Sequence, residues 1–313
     1  MSKRTLDSFF VAPQAKKQKL STAAPSQHPT YPLSVAQLPP DISEALEFAP
    51  AEEGTAINDQ PDLDLVYFQP YIARDVAKSL FQFLRAELFF YRVEYKIKRG
   101  PVETQIRTPR FTTVFGVDDS ARFSEDGSVV DFATGKKVAK DRYKYEPRPL
   151  PACLDFLRRL TEGSTGKTYN FALVNYYASG SDSISYHSDD ERFLGVDPAI
   201  ASFSLGAKRD FLMKHKPTQG SGKEETKEAK PLKLPLGSGD MILMRGKTQS
   251  MWLHSIPKRR GGESDQGRIN ITFRKAVVRE GTNNYYRYNV GEGVPHKWDD
   301  KKGMVPWSET AHT

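Results

Sequence analysis

Six short segments crowd the second half of the chain: "TYNFALVNYYA", "AIASFSLG", "RDFLMKH", "DMILMRG", "SMWLHSI" and "RINITFRKAVV". Each is rich in aromatic and β-branched residues and is bounded by Gly, Pro or charged turn residues, which is the signature of strands. Two segments with helical spacing stand before them. "YIARDVAKSLFQFLRAELFF" repeats its apolar residues at Val76, Leu80, Phe83, Leu84 and Leu88. "PACLDFLRRLTEG" puts Leu154, Leu157 and Leu160 on one side, and Gly163 suits the stop. Helices followed by a run of strands predict an α+β, mainly β fold, a sandwich or jelly roll buttressed by N-terminal helices. "KPTQGSGKEETKEAKPLKLP" interrupts the strands and, being charged and rich in Gly and Pro, is expected as a mobile loop.

The chain is 313 residues long but only 38% hydrophobic, so part of it is expected not to fold. That part is assigned to residues 1–64, rich in Pro, Ala, Ser, Gln and acids, with no sustained periodicity from residue 11 onward. A folded domain is expected over 65–278, starting at "LDLVYFQPYI", with a C-terminal extension, 279–313, packed on it. The single cysteine, Cys153, excludes a disulfide framework and a cysteine-rich zinc site. No apolar leader opens the chain and no window is apolar enough to span a bilayer, so a soluble, intracellular protein without a membrane partner is expected. The net charge of +7 is unevenly placed: residues 41–65 carry eight acids and no Lys or Arg, whereas 66–313 carry 41 basic against 30 acidic residues. A basic body with a separate acidic segment points to a polyanion partner, with ordinary solubility as the simpler explanation.

The chemistry lies in "SISYHSDDERF". Side chains two apart share a face of a strand, so His187 and Asp189 point into one space if the strand reaches them. His254 in "MWLHS" is the best third ligand. Two histidines and a carboxylate form the facial triad of non-haem Fe(II) oxygenases, although an H-x-D pair alone also suits a polar turn. In "RINITFR", Arg268, Asn270, Thr272 and Arg274 alternate with Ile269, Ile271 and Phe273. Two arginines facing inward require anions, and a small dicarboxylate would satisfy both forks; a solvated strand face is the alternative. Asn175 and Tyr177 in "YNFALVNYY" share one face and can add hydrogen bonds.

The order N-x-Y, H-x-D-x-E, a distant His, then R-x-N-x-T-F-R resembles the AlkB family of Fe(II)/2-oxoglutarate dioxygenases. "SDDERFLGVDPAIASFSLGAKRDFLMKHK" is similar to the branch that repairs DNA alkylation, and the resemblance covers roughly residues 90–278. It implies a double-stranded β-helix core. It implies iron on His187, Asp189 and His254, and 2-oxoglutarate on Asn175, Tyr177, Arg268, Asn270, Thr272 and Arg274, with O2 as second co-substrate. It places Tyr143 and Tyr145 where the family stacks an aromatic on the flipped base, and Asp190 and Glu191 at the base edge. "PRFTTVFG", with Arg110, resembles part of the nucleotide-recognition lid.

The activity so implied is oxidative demethylation of 1-methyladenine and 3-methylcytosine in DNA, direct-reversal repair releasing formaldehyde, succinate and CO2. Such bases are cationic and must leave the stack. The same chemistry on RNA or protein, or a non-catalytic adaptor, is the alternative. The first residues, "KRTLDSFF", resemble a sliding-clamp peptide over 3–10, with Leu6, Phe9 and Phe10 as the plug and Lys3 where Gln is usual. "KKQK" after it suits nuclear import, so a monomeric nuclear protein, otherwise cytoplasmic, is expected.

Overall fold

The computed structural model describes residues 24–217, 229–290 and 293–308. Eleven strands form its two main sheets: β1 (Thr55–Ile57), β2 (Leu65–Phe68), β3 (Phe111–Gly116), β4 (Phe171–Tyr177), β5 (Ile184–His187), β6 (Ile200–Gly206), β7 (Arg209–His215), β8 (Leu232–Leu236), β9 (Met241–Met244), β10 (Trp252–Ile256) and β11 (Arg268–Arg274). The major sheet runs β1-β2-β9-β6-β11-β4-β3 and the smaller one β8-β7-β10-β5. Every pair is antiparallel. This is the expected jelly roll, and all six anticipated segments supply strands to it.

All seven residues of β11 are buried, which explains its alternation. Ile269, Ile271 and Phe273 join the apolar core, where Phe273 meets Phe203 of β6 edge-on at 6.0 Å. The helix α2 (Arg74–Glu87) covers this face through Ala77, Leu80, Phe81 and Leu84. Burying about four such side chains contributes several kcal/mol. The polar set of β11 is thereby turned inward, between the sheets.

Several expectations need correction. Residues 24–64 are not a disordered tail. Ser26 and Val35 exchange backbone hydrogen bonds, the Tyr31 ring lies 5.5 Å from Phe89, and Val35 and Leu46 are buried. The helix α1 (Pro40–Leu46) follows, and β1 extends the major sheet. A few well-placed apolar anchors suffice here because the core they join is built by the rest of the chain. The helix α3 (Ala152–Thr165) runs through Gly163 and stops at Gly166, whose φ of 64° only glycine adopts freely. Residues 232–235, assigned to a mobile loop, belong to the edge strand β8 (Leu232–Leu236). Its Pro235 is tolerated because an edge strand has one unpaired side. Leu6, Phe9 and Phe10 lie outside the described residues. The short helix α4 (Thr248–Met251) precedes β10, and α5 (Asn283–Asn289) follows β11. Among the described residues, no helix is long and apolar enough to cross a membrane.

Candidate metal centre and active site

His187 ends β5 and His254 sits mid-way along β10, and the two are direct partners in the antiparallel register. Their ring centroids lie 4.2 Å apart. Asp189 follows just beyond the end of β5, where its backbone N–H donates to Gln249 Oε1 on α4 at 3.1 Å. One ligand atom from each of the three residues lies within 4.8 Å of the other two.

The surroundings prepare these groups for a cation. Burial pushes His254 down to about 3, so its ring is neutral at physiological pH, as a metal ligand must be. Burial also opposes ionisation of Asp189. The nearby Arg274 guanidinium opposes it, and the carboxyl is held below its usual range. The His187 Nδ1–H donates to the Ser185 carbonyl at 2.9 Å, which leaves Nε2 as the acceptor. His254 stacks on Phe211 at 5.2 Å. Two imidazoles and a carboxylate on one face suit Fe(II), and the donor set of this chain fits it.

The opposite wall is the inward face of β4 and β11. Arg268 pairs with Tyr177 and Asn270 with Asn175 in register. The Arg268 guanidinium lies 5.3 Å from the Tyr177 ring centroid, and its Nη2 donates to Ser204 at 2.8 Å. Its Nε and Nη1 are buried without a partner among the described residues, and burial lowers its pKa to about 10. Arg274 donates to Asp189 at 3.1 Å and to the Tyr285 hydroxyl, leaving Nε unmatched among the described residues. Burial alone would lower Arg274, but Asp189, Tyr285 and Glu191 raise it above its usual value. Two buried guanidinium groups with spare donors call for an anion, and a dicarboxylate between them fits.

A cavity of about 370 Å³ joins both walls. His187, Asp189, His254, Asn175, Tyr177, Arg268, Asn270, Thr272 and Arg274 all line it, as do Arg110 and Glu191. Arg110 donates to Asn175 Oδ1 at 3.0 Å. Glu191 accepts from Tyr285 at 2.8 Å through Oε1, while its Oε2 is buried and unpaired among the described residues. Burial, reinforced by Asp189, raises the Glu191 carboxyl.

Three anticipated substrate contacts fall elsewhere. Asp190 pairs with Lys216 at 2.6 Å and does not line the cavity. Tyr143 is buried in a satellite cluster with Val117 and Ala121, where its hydroxyl donates to Asp118. Tyr145 packs against the main core and also lies outside the cavity lining. The lining residues that were not anticipated include four from α5: Asn284, Tyr285, Tyr288 and Asn289. The aromatic spacing in "NNYYRYN" was the available signal, but only the fold shows which way it faces.

The family model described as the 2OG-Fe(II) oxygenase superfamily matches residues 64–274. The chain belongs to that superfamily. The DNA oxidative demethylase ALKBH2 of Homo sapiens is 39% identical over 132 residues, which is 42% of this chain and 49% of that protein. The alpha-ketoglutarate-dependent dioxygenase alkB homolog 3 of Rattus norvegicus is 41% identical over 42% of this chain and 44% of its own length. ALKBH2 of Arabidopsis thaliana is 38% identical over 40% and 43%, respectively. The chain thus spans about half the length of the curated relatives it matches. The likeness is to the AlkB family, as the motifs indicated, and the superfamily uses Fe(II), 2-oxoglutarate and O2.

Proposed function

We propose that this protein oxidatively demethylates alkylated nucleobases, 1-methyladenine and 3-methylcytosine in DNA foremost, releasing formaldehyde, succinate and CO2. The observation that carries this reading is that the triad, two under-satisfied arginines and the unpaired Glu191 oxygen share one cavity. Fe(II) held by His187, Asp189 and His254 would activate O2 while 2-oxoglutarate supplies two of the four electrons required.

The chain's own part is binding, orientation and charge. Arg268 and Arg274 are buried, and each offers a fork to a carboxylate where such contacts are strong. Asn270 is held by Ser202 and the Phe203 carbonyl, so the wall beside the co-substrate is rigid. Glu191 can accept from an exocyclic amino group and oppose the positive charge of a base alkylated on its ring nitrogen. Demethylation removes that charge, which weakens the attraction and favours product release. The Tyr285 hydroxyl joins Glu191 to Arg274 and so couples the orientations of the substrate and co-substrate ends of the cavity.

Mass spectrometry of methylated single- and double-stranded oligonucleotides, incubated with Fe(II) and 2-oxoglutarate, tests this directly. Loss of one CH2 from DNA is the expected result. Loss from RNA alone would move the substrate to RNA, and an unchanged mass in both would overturn the reading. The clamp peptide at 3–10 and a nuclear location belong to the same proposal, since a repair enzyme gains from residence at replicating DNA.

A further inference from the structure

The cavity has one aromatic side chain at its rim that nothing in the site's chemistry has used. Tyr288 is 53% exposed yet lines the cavity. It belongs to α5, three residues after Tyr285, so both rings lie on one face of the helix. The helix lies beyond residue 274, where the superfamily match ends.

The helix is bolted down rather than loosely appended. Tyr286 is buried and donates to the Gly116 carbonyl at 2.8 Å. Thr112 donates to the Asn289 carbonyl, and Tyr285 is tied to Glu191 and Arg274. The Tyr145 backbone N–H reaches Asn283 Oδ1 at 3.4 Å. Tyr145 therefore backs the start of this helix, and the helix presents Tyr285 and Tyr288 to the cavity. A half-exposed ring and a half-buried carboxylate, Glu191, on the lining of one cavity make a mixed surface: the acid opposes positive charge, and the ring offers a π-face.

Resting on the base-repair reading above, we propose that α5 completes the substrate site and that Tyr288 is the residue on which the extruded methylated base stacks. Stacking suits this place physically. An extruded base loses its neighbours in the helix and needs a new partner for its face, and a cationic base binds an aromatic face more strongly than a neutral one. A C-terminal segment would thereby help set which lesions this enzyme accepts.

The test compares full-length wild type with Tyr288→Ala, Tyr288→Leu and Tyr288→Phe. Fluorescence anisotropy measures the affinity of each for an oligonucleotide carrying one 3-methylcytosine and for its unmethylated twin, with 2-oxoglutarate and Mn(II) in place of iron to prevent turnover. The preference for the methylated strand should fall roughly ten- to a hundredfold in Tyr288→Ala, less in Tyr288→Leu, and hold within about twofold in Tyr288→Phe. An unchanged preference in Tyr288→Ala overturns the proposal alone. Equal loss in Tyr288→Phe assigns the effect to the hydroxyl and also overturns it. A wild type with no preference for the lesion overturns the base-repair reading itself.

Discussion

His187 and His254 face each other across one antiparallel register, and Asp189 enters the same space from just beyond the strand's end. The carboxylate has two neighbours of opposite demands: the metal site and the buried Arg274, 3.1 Å away. Replacing it by alanine therefore removes a metal ligand and strands a buried charge. We expect Asp189→Ala to lose both iron, measured by elemental analysis, and turnover. It should also lose about 3–5 kcal/mol of stability, the usual consequence of breaking one half of a buried pair. Asp189→Asn should lose iron with a smaller drop in melting temperature. A variant that retains full iron and activity would remove Asp189 from the triad.

Arg268 has two buried nitrogen atoms with no acceptor among the described residues. Arg268→Lys keeps the charge but loses the fork. The 2-oxoglutarate requirement should rise about ten- to a hundredfold, the equivalent of one charge-assisted hydrogen bond of roughly 1.5–3 kcal/mol. A co-substrate titration followed by succinate release reads this out, and an unchanged curve would place the carboxylate elsewhere.

What could be read from the residues alone was uneven, for physical reasons. The face of β11 was legible because strict alternation of Arg268, Asn270, Thr272 and Arg274 with apolar residues has few folded solutions. The triad was legible because its metal restricts ligand type. The role of residues 24–64 was not, because their few anchors, such as Val35 and Leu46, are supported by a core made elsewhere. Tyr143 was misplaced because its partner, Asp118, is a tertiary neighbour that no local spacing reveals. The contribution of α5 was hidden for the same reason.

Tyr285 donates to Glu191 and accepts from Arg274. Tyr285→Phe preserves the ring that packs against Phe193, 5.0 Å away, but leaves an arginine donor and a carboxylate oxygen unmatched. We expect kcat/KM for a 3-methylcytosine oligonucleotide to fall about tenfold. If Glu191 then turns, discrimination between 1-methyladenine and 3-methylcytosine should shift as well. Unaltered kinetics with both oligonucleotides would make the bridge structural only.

Cys153 is 2% exposed within the core, on α3. Burial pushes its thiol up to about 12. A raised thiol pKa means that the thiolate dominates only above that pH, so at pH 8 roughly one molecule in ten thousand carries the reactive form. Native protein should therefore resist thiol reagents such as dithiobis-nitrobenzoate, and one thiol should titrate on unfolding in guanidinium. Rapid labelling of the folded protein would contradict the buried placement.

The clamp-like peptide at 3–10 and the packed residues 24–64 should serve different ends. A chain lacking residues 1–20 should process naked oligonucleotides at the rate of the full chain, because every residue lining the cavity lies at position 110 or beyond. A chain lacking residues 1–60 removes strand β1, the Tyr31 contacts and the buried Val35, Ile42 and Leu46. Each large apolar side chain withdrawn from the core forfeits about 1.5–3 kcal/mol, so that truncation should unfold at a markedly lower temperature. On the proposal above, clamp binding rests with residues 3–10. Burial of Leu6, Phe9 and Phe10 favours docking, ordering of the segment opposes it, and Lys3 lacks the amide of the usual Gln, so micromolar affinity is expected, about −8 kcal/mol. Titration calorimetry of a 1–20 peptide against a replication clamp measures this. No heat and no competition with an established clamp ligand would leave "LDSFF" without a partner, while equal stability of both truncations would show that the contacts of residues 24–60 contribute nothing to the fold.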